Sequence, residues 1–276
     1  MKNINICFIG CGNMGRSLIG GILANGHPRD LICGADPSQE QREKVGDLFG
    51  ITTYADNHQA LDNADVIVLA VKPQVMAATV MEVAAALTAQ QPLLISIAAG
   101  IRLSAISGWL REELPIIRAM PNTPALIQAG ATALFANDRV TQTQRETAET
   151  IMRSVGTAVW VDHESLLDTV TALSGSGPAY FFLLMEIMEK AAIDMGLQPE
   201  QARLLTLETA LGAAKMAMES EQDAGVLRRQ VTSPGGTTEA ALAVLTQGDI
   251  EELFRNALKA AQQRSVELAD EFGKSK

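Results

Sequence analysis

Aromatic residues are scarce in this 276-residue chain, at 4% with two Trp and two Tyr. So few stacking platforms argue against a groove for single-stranded nucleic acid. Positive charge is short as well: 22 Lys+Arg face 32 Asp+Glu, and the net charge of −10 repels a phosphate backbone. Cysteine is sparse. Cys7, Cys11 and Cys33 form an odd set without a Cys-x-x-Cys pair, which excludes a disulfide framework and a structural zinc site and fits a reducing cytoplasm. His27, His58 and His163 are scattered beside turn or polar residues, so no metal site is expected and all three read as surface or turn groups. The longest apolar run covers residues 179–185. A membrane span needs roughly 20 such residues, so neither a span nor a signal peptide is expected.

What the chain does have is 47% hydrophobic residues against 20% charged, the balance of a globular protein with a substantial core. Its first half alternates apolar runs with helical patterns: residues 4–9 then 14–24, 31–35 then 38–49, 66–71 then 74–87, and 93–97 then 103–110. Runs as uniformly apolar as Val66-Ile-Val-Leu-Ala-Val71 suit strands covered on both faces, so a parallel, doubly wound α/β sheet is expected. Further strands are expected at 116–119, 131–135 and 157–161, with a helix at 141–154. After His163 only helical stretches follow, at 178–195, 199–218, 236–246 and 250–272. The chain therefore divides into residues 1–162, a dinucleotide-binding domain of the Rossmann type, and residues 163–276, an all-helical domain. The segment Tyr180-Phe-Phe-Leu-Leu-Met-Glu-Ile-Met is apolar on nearly every side, which calls for a surround that a second subunit can complete.

Strand 5–9 runs into Gly10-Cys11-Gly12-Asn13-Met14-Gly15, which opens a helix. In that context the glycines have separate jobs: Gly10 for a tight turn, Gly12 for close approach to a pyrophosphate, and Gly15 for packing helix on strand. The spacing also nearly spells a Walker A loop, but Arg16 stands where that loop needs a lysine. Asp36, at the end of the second strand, is placed to accept from ribose hydroxyls and repel a 2′-phosphate, which favours NAD; Asp36-Pro37 before Ser38 reads equally as a turn and helix cap. Asn57, after the third strand, suits either the adenine side or an Asx turn. Val71-Lys72-Pro73 and Ile97-Ala98-Ala99-Gly100 close two further strands at their carboxyl ends, where such sheets bind ligands and where small residues let a nicotinamide lie flat. Lys72 reads as a general acid or, preferably, as a solvated strand-end charge.

Two segments of the helical half pair hydroxyls and glycines with a helix start: Ser174-Gly-Ser-Gly-Pro178 and Ser233-Pro-Gly-Gly-Thr-Thr238. Both are expected to expose free N–H groups and a positive dipole end, which suits a carboxylate. No Ser/His/Asp set or paired carboxylates are visible. Hydride transfer to an imine needs only placement and a hydrogen bond to nitrogen, which the Thr238 hydroxyl can give.

These motifs, together with Arg118-Ala-Met-Pro-Asn-Thr-Pro124, Leu173-Ser-Gly-Ser-Gly-Pro-Ala-Tyr180 and Val231-Thr-Ser-Pro-Gly-Gly-Thr-Thr238, resemble the pyrroline-5-carboxylate reductases over nearly the whole chain. The resemblance implies reduction of the C=N bond of 1-pyrroline-5-carboxylate to L-proline by NADPH or NADH, the last step of proline biosynthesis, in homodimers assembled into a decamer. It further implies Ser174, Ser233, Gly236 and Thr237 at the substrate, Thr238 toward the imine nitrogen and Glu164 nearby. Asp36 departs from the small or hydroxyl residues that usually receive the 2′-phosphate, so both cofactors are expected to work, with Arg42 as a further candidate for the phosphate. The β-hydroxyacid dehydrogenases share the architecture but use a lysine of the helical half, and neither Gly/Ser segment contains one.

Overall fold

The computed structural model describes residues 4–273. Eight strands form one sheet: β1 (Ile6–Ile9), β2 (Ile32–Ala35), β3 (Thr52–Tyr54), β4 (Val66–Leu69), β5 (Leu93–Ser96), β6 (Ile116–Met120), β7 (Gly130–Ala136) and β8 (Gly156–Trp160). Their order is β3-β2-β1-β4-β5-β6-β7-β8. The order reverses between β1 and β4, and a doubly wound sheet opens its ligand crevice at such a point, beyond the strands' carboxyl ends.

Successive residues of a strand point to opposite faces. Ile6 and Phe8 enter one buried cluster with Leu18, Ile19 and Ile151, while Cys7 and Ile9 enter another with Met76, Val80 and Ile106. Both faces are thus covered, which is why β1 and β4 read as uninterrupted apolar runs. The covering helices are α1 (Asn13–Ala24), α2 (Gln39–Phe49), α3 (Asn57–Ala60), α4 (Pro73–Gln90), α5 (Leu103–Leu110) and α6 (Gln142–Arg153). Their starts follow local chemistry. Ser38 caps α2 by accepting from Gln41 N, Pro73 occupies the first turn of α4, and Thr141 with Gln144 forms a capping box on α6.

One pairing departs from the parallel expectation: β6 and β7 run antiparallel. Only residues 121–129 join them, including a 3-10 turn at Thr123–Ile127. A parallel crossover needs about a dozen residues or more, so this link can only reverse the chain.

The described residues separate into two compact units, residues 4–176 with 260–273, and residues 177–259. The division by contacts falls at residue 176, later than the expected change of pattern at 162, and residues 260–273 return to the first unit. The physical reason is α7 (Leu166–Val170), whose Leu167 is buried beside Met120 and Ala133 of the sheet. The second unit holds α8 (Gly177–Asp194), α9 (Pro199–Glu219), α10 (Ala224–Gln230), α11 (Thr237–Gln247) and the first part of α12 (Ile250–Gly273). In α8, Phe181, Phe182, Leu183, Ile187 and Met188 are half or more exposed, as are Leu204, Leu205 and Leu211 of α9. The helical stretch Leu166–Asp194 is long and apolar enough to cross a membrane by length and composition alone.

His27 is buried, contrary to the expectation for a turn histidine. Its Nε2 donates to the Ile4 carbonyl at 2.9 Å, which lets the ring enter the interior behind α1.

Candidate functional site

The turn after β1 is built by backbone approach. Gly10 adopts φ +101°, and a Cβ there would lie 2.6 Å from the Ala70 carbonyl oxygen, so β1 and β4 could not both keep their positions with any other residue. A Cβ on Gly15 would lie 2.5 Å from the Gly10 oxygen. Gly12, by contrast, faces open space, with no atom within 4 Å of where its Cβ would stand. It caps α1 in extended conformation with no side-chain cap bond, so the first N–H groups of α1, from Asn13, Met14 and Gly15, have no acceptor within the helix. An open glycine before a bare helix start at the strand-order reversal fits a pyrophosphate.

Cys11 turns inward. It is buried, its Sγ sits where a side chain on Gly34 would be, and its N–H donates to Asp36 Oδ2 at 2.9 Å. Burial pushes its thiol up to about 12, and the Asp36 carboxylate adds to the rise. Asp36 Oδ1 accepts from Ser38 N at 2.9 Å. Asp36 thus takes the turn role, tying the glycine turn to the start of α2, and it lies half-buried just beyond β2. Arg42 Nη1 donates to the Asp36 and Pro37 carbonyls at 2.7 and 2.9 Å, so α2 folds a guanidinium back over the same corner. Asn57 is the first residue of α3, and its Nδ2 donates to Glu82 Oε2 at 3.2 Å; the Asx turn belongs to Asp56, which accepts from His58 N.

At the carboxyl ends of β4 and β5, Val71 and Pro73 are half-buried and Lys72 is exposed, with no ion pair among the described residues. Ala98 and Gly100 are buried. Gly100 takes φ +69°, and a Cβ on it would meet α12 rather than open space, 3.2 Å from Leu268 Cβ. Its smallness thus serves packing from behind, whereas the sequence suggested room for a flat ring.

Glu164 stands beside this loop. Its Oε1 accepts from Leu103 N at 2.8 Å, at the start of α5, and faces Arg118 Nη1 at 3.2 Å. Arg118 is 1% exposed, and its Nη2 is buried without a partner.

The two hydroxyl-and-glycine segments behave differently. Ser174 is not at a free helix start: Thr171–Gly175 is a π turn that carries α7 toward α8, with Ser176 N donating to Thr171 O and Ser174 Oγ to Val170 O. Pro178 has no N–H to give the Ser174 carbonyl four residues earlier, and a wider turn accommodates that gap. Asn122 Nδ2 donates to this carbonyl instead. Asn122 and Arg118 are positions to which sequence reading assigned no task; Pro178, read as the start of a helix, gave no sign that the helix passes through it.

The segment Ser233–Thr238 does open a helix. Gly236 is the cap of α11 without a side-chain cap bond, and the N–H groups of Thr237 and Thr238 have no acceptor within the helix. Ser233 and Thr237 are exposed, Gly236 and Thr238 half-buried. Glu239 Oε2 accepts from Gly235 N at 2.6 Å, placing a carboxylate beside the same helix start. These residues lie in the second unit, whereas the glycine turn, Asp36, Ala98, Gly100 and Glu164 lie in the first.

A family model described as pyrroline-5-carboxylate reductase dimerisation matches residues 164–268, and one described as NADP oxidoreductase, coenzyme F420-dependent, matches residues 5–100. The pyrroline-5-carboxylate reductase of Pseudomonas aeruginosa is 50% identical over 273 residues, 99% of this chain and 100% of the relative. That of Vibrio alginolyticus is 42% identical over 273 residues, with the same coverage. Among solved structures, a pyrroline-5-carboxylate reductase from Coxiella burnetii superposes with TM-score 0.92 at 47% identity, covering 96% of this chain and 98% of that one. Plasmodium falciparum pyrroline carboxylate reductase with NADP bound gives TM-score 0.87 at 30% identity, covering 98% and 99%.

Proposed function

The chain belongs to the pyrroline-5-carboxylate reductase family, and from that premise we propose how its residues share the reduction of 1-pyrroline-5-carboxylate to L-proline with NAD(P)H. The observation that carries the reading is the open Gly12 before the bare start of α1. Asn13, Met14 and Gly15 offer their N–H groups to the pyrophosphate, with Gly10 and Cys11 shaping the turn. Asp36 and Arg42 meet the adenosine ribose or its 2′-phosphate, and Asn57 lies toward the adenine side. Val71, Lys72, Pro73, Ala98 and Gly100 form the nicotinamide end.

Reduced nicotinamide supplies the hydride; the chain supplies placement and hydrogen bonds. Ser233, Gly236 and Thr237 receive the substrate carboxylate at the start of α11, where the helix dipole favours an anion. The Thr238 hydroxyl faces the imine nitrogen. Glu164 lies near the substrate while holding the loop at Leu103, and Ser174, whose hydroxyl proton is spent on Val170, contributes shape and an acceptor.

The dimerisation match over residues 164–268 supports our reading that a second copy of the chain covers the exposed apolar faces of α8 and α9, with such dimers assembling into a decamer. A concentration-independent monomer in sedimentation would overturn it. The free thiols of Cys7, Cys11 and Cys33 support a cytoplasmic setting. The deciding assay follows NADPH or NADH oxidation on addition of 1-pyrroline-5-carboxylate, with proline as product. Tight cofactor binding without turnover would instead favour a nucleotide sensor on this fold.

A further inference from the structure

The loop that follows β5 is gripped by the end of the chain. A Cβ on Gly100 would lie 3.2 Å from Leu268 Cβ and 3.5 Å from Phe272 Cδ2, both on the last turns of α12. Phe272 packs against the buried cluster that contains Ala98 and Ile101. A second grip is polar and buried: Ser265 Oγ donates to Asp168 Oδ1 at 2.7 Å, and Asp168 Oδ2 faces Arg102 Nη2 at 3.5 Å. Ser265 and Asp168 are 3% and 2% exposed, so neither partner exchanges its bond for water. Gln262 Nε2 adds a bond to Thr169 Oγ1 at 2.7 Å. The helix thus holds the loop at Gly100 by shape and at Arg102 through Asp168.

We infer that the carboxyl-terminal part of α12 is a strap that sets the position of the 98–102 loop, making Ser265, Leu268 and Phe272 positioning residues for hydride transfer. The inference rests on the reading that this loop receives the nicotinamide. None of the three is required to touch the cofactor. The rest of the dinucleotide is assigned to the Gly10–Gly15 turn and Asp36, beyond the ends of β1 and β2, so loosening the strap moves one end of the cofactor and leaves the other seated. Hydride transfer is sensitive to such displacement, because a misplacement of an ångström costs up to about a hundredfold in rate.

The test uses the full chain with Ser265→Ala and Phe272→Ala, and Phe272→Leu as the conservative control. Two dissociation constants are measured for each, for NADP+ and for 2′-phospho-ADP-ribose, which lacks only the nicotinamide, together with kcat. The strap predicts that kcat falls about tenfold in the alanine variants. NADP+ binding should weaken while 2′-phospho-ADP-ribose binding holds, and Phe272→Leu should restore most of both. Equal weakening of the two ligands would overturn the inference, since it reports a general loosening of the fold. Unchanged kcat and unchanged binding in both alanine variants would overturn it too. Failure of the unsubstituted protein to bind NADP+ or turn over would overturn the site assignment first, and the strap with it.

Discussion

Asn122 Nδ2 donates at 3.0 Å to the carbonyl of Ser174, the oxygen that Pro178 deprives of its helical donor. The same amide accepts from Ala131 N at 2.8 Å, so one side chain clasps both the π turn and the start of β7. Asn122→Ala leaves the two backbone groups without these partners and should cost about 1–3 kcal/mol in urea unfolding. Pro178→Ala returns an N–H to the helix, so the same substitution should cost less in that background. A double-mutant cycle showing strict additivity would refute the linkage.

On the proposed reading, cofactor choice turns on Asp36, whose carboxylate would oppose a 2′-phosphate and accept from a ribose diol, with Arg42, folded over the same corner, as the cation for the phosphate. Both NADPH and NADH should therefore support turnover. Asp36→Ser should raise the NADPH:NADH ratio of kcat/KM by about tenfold, or ~1.4 kcal/mol. Steady-state kinetics with each cofactor measures this directly, and an unmoved ratio would show Asp36 to be only a tie between Cys11 and Ser38.

Thr238→Ala removes the hydroxyl assigned to the imine nitrogen and leaves the cap of α11, which uses no side chain, intact. The expected outcome is a lower kcat, by about 1–3 kcal/mol in barrier, with unchanged circular dichroism. Retained kcat would remove Thr238 from the reaction.

Alkaline pH should weaken the fold through Cys11. The thiol ionises near 9 in the unfolded chain, but burial, assisted by the Asp36 carboxylate, pushes it up to about 12 in the folded one. Its contribution is thus complete below pH 9 and is lost as pH rises through the window to about 12, because only the unfolded state releases the proton there. Unfolding free energy of the unsubstituted protein should fall more steeply across that window than that of Cys11→Ala. Parallel curves would contradict the assignment.

The dinucleotide half was legible because its signals are local. Residues 66–71 announce a two-faced strand, and the glycines of 10–15 announce a turn whose Cβ clashes are set within a few residues. The start of α11 was legible at Thr237 and Thr238, where glycine precedes a helical pattern. Ser174 misled, because serine and glycine before a proline look the same whether a helix begins there or passes through with a π turn. What decides is a donor on Asn122, distant in sequence. The reversal of β7 has a local cause instead: only residues 121–129 join it to β6, and strand direction follows that connection length rather than the strand's own residues. The grip of Leu268 and Phe272 on Gly100 also needed the fold, because nothing near Gly100 in sequence points to the chain's end.

Phe181 and Phe182 stand 63% and 65% exposed on α8. A protein that covers such a face with its own copy has no melting temperature that belongs to the chain alone. Its thermal midpoint climbs with concentration, as mass action requires. Specific activity at high dilution then reports the fraction of chains still associated, so dilution series belong in any rate comparison between variants of α8.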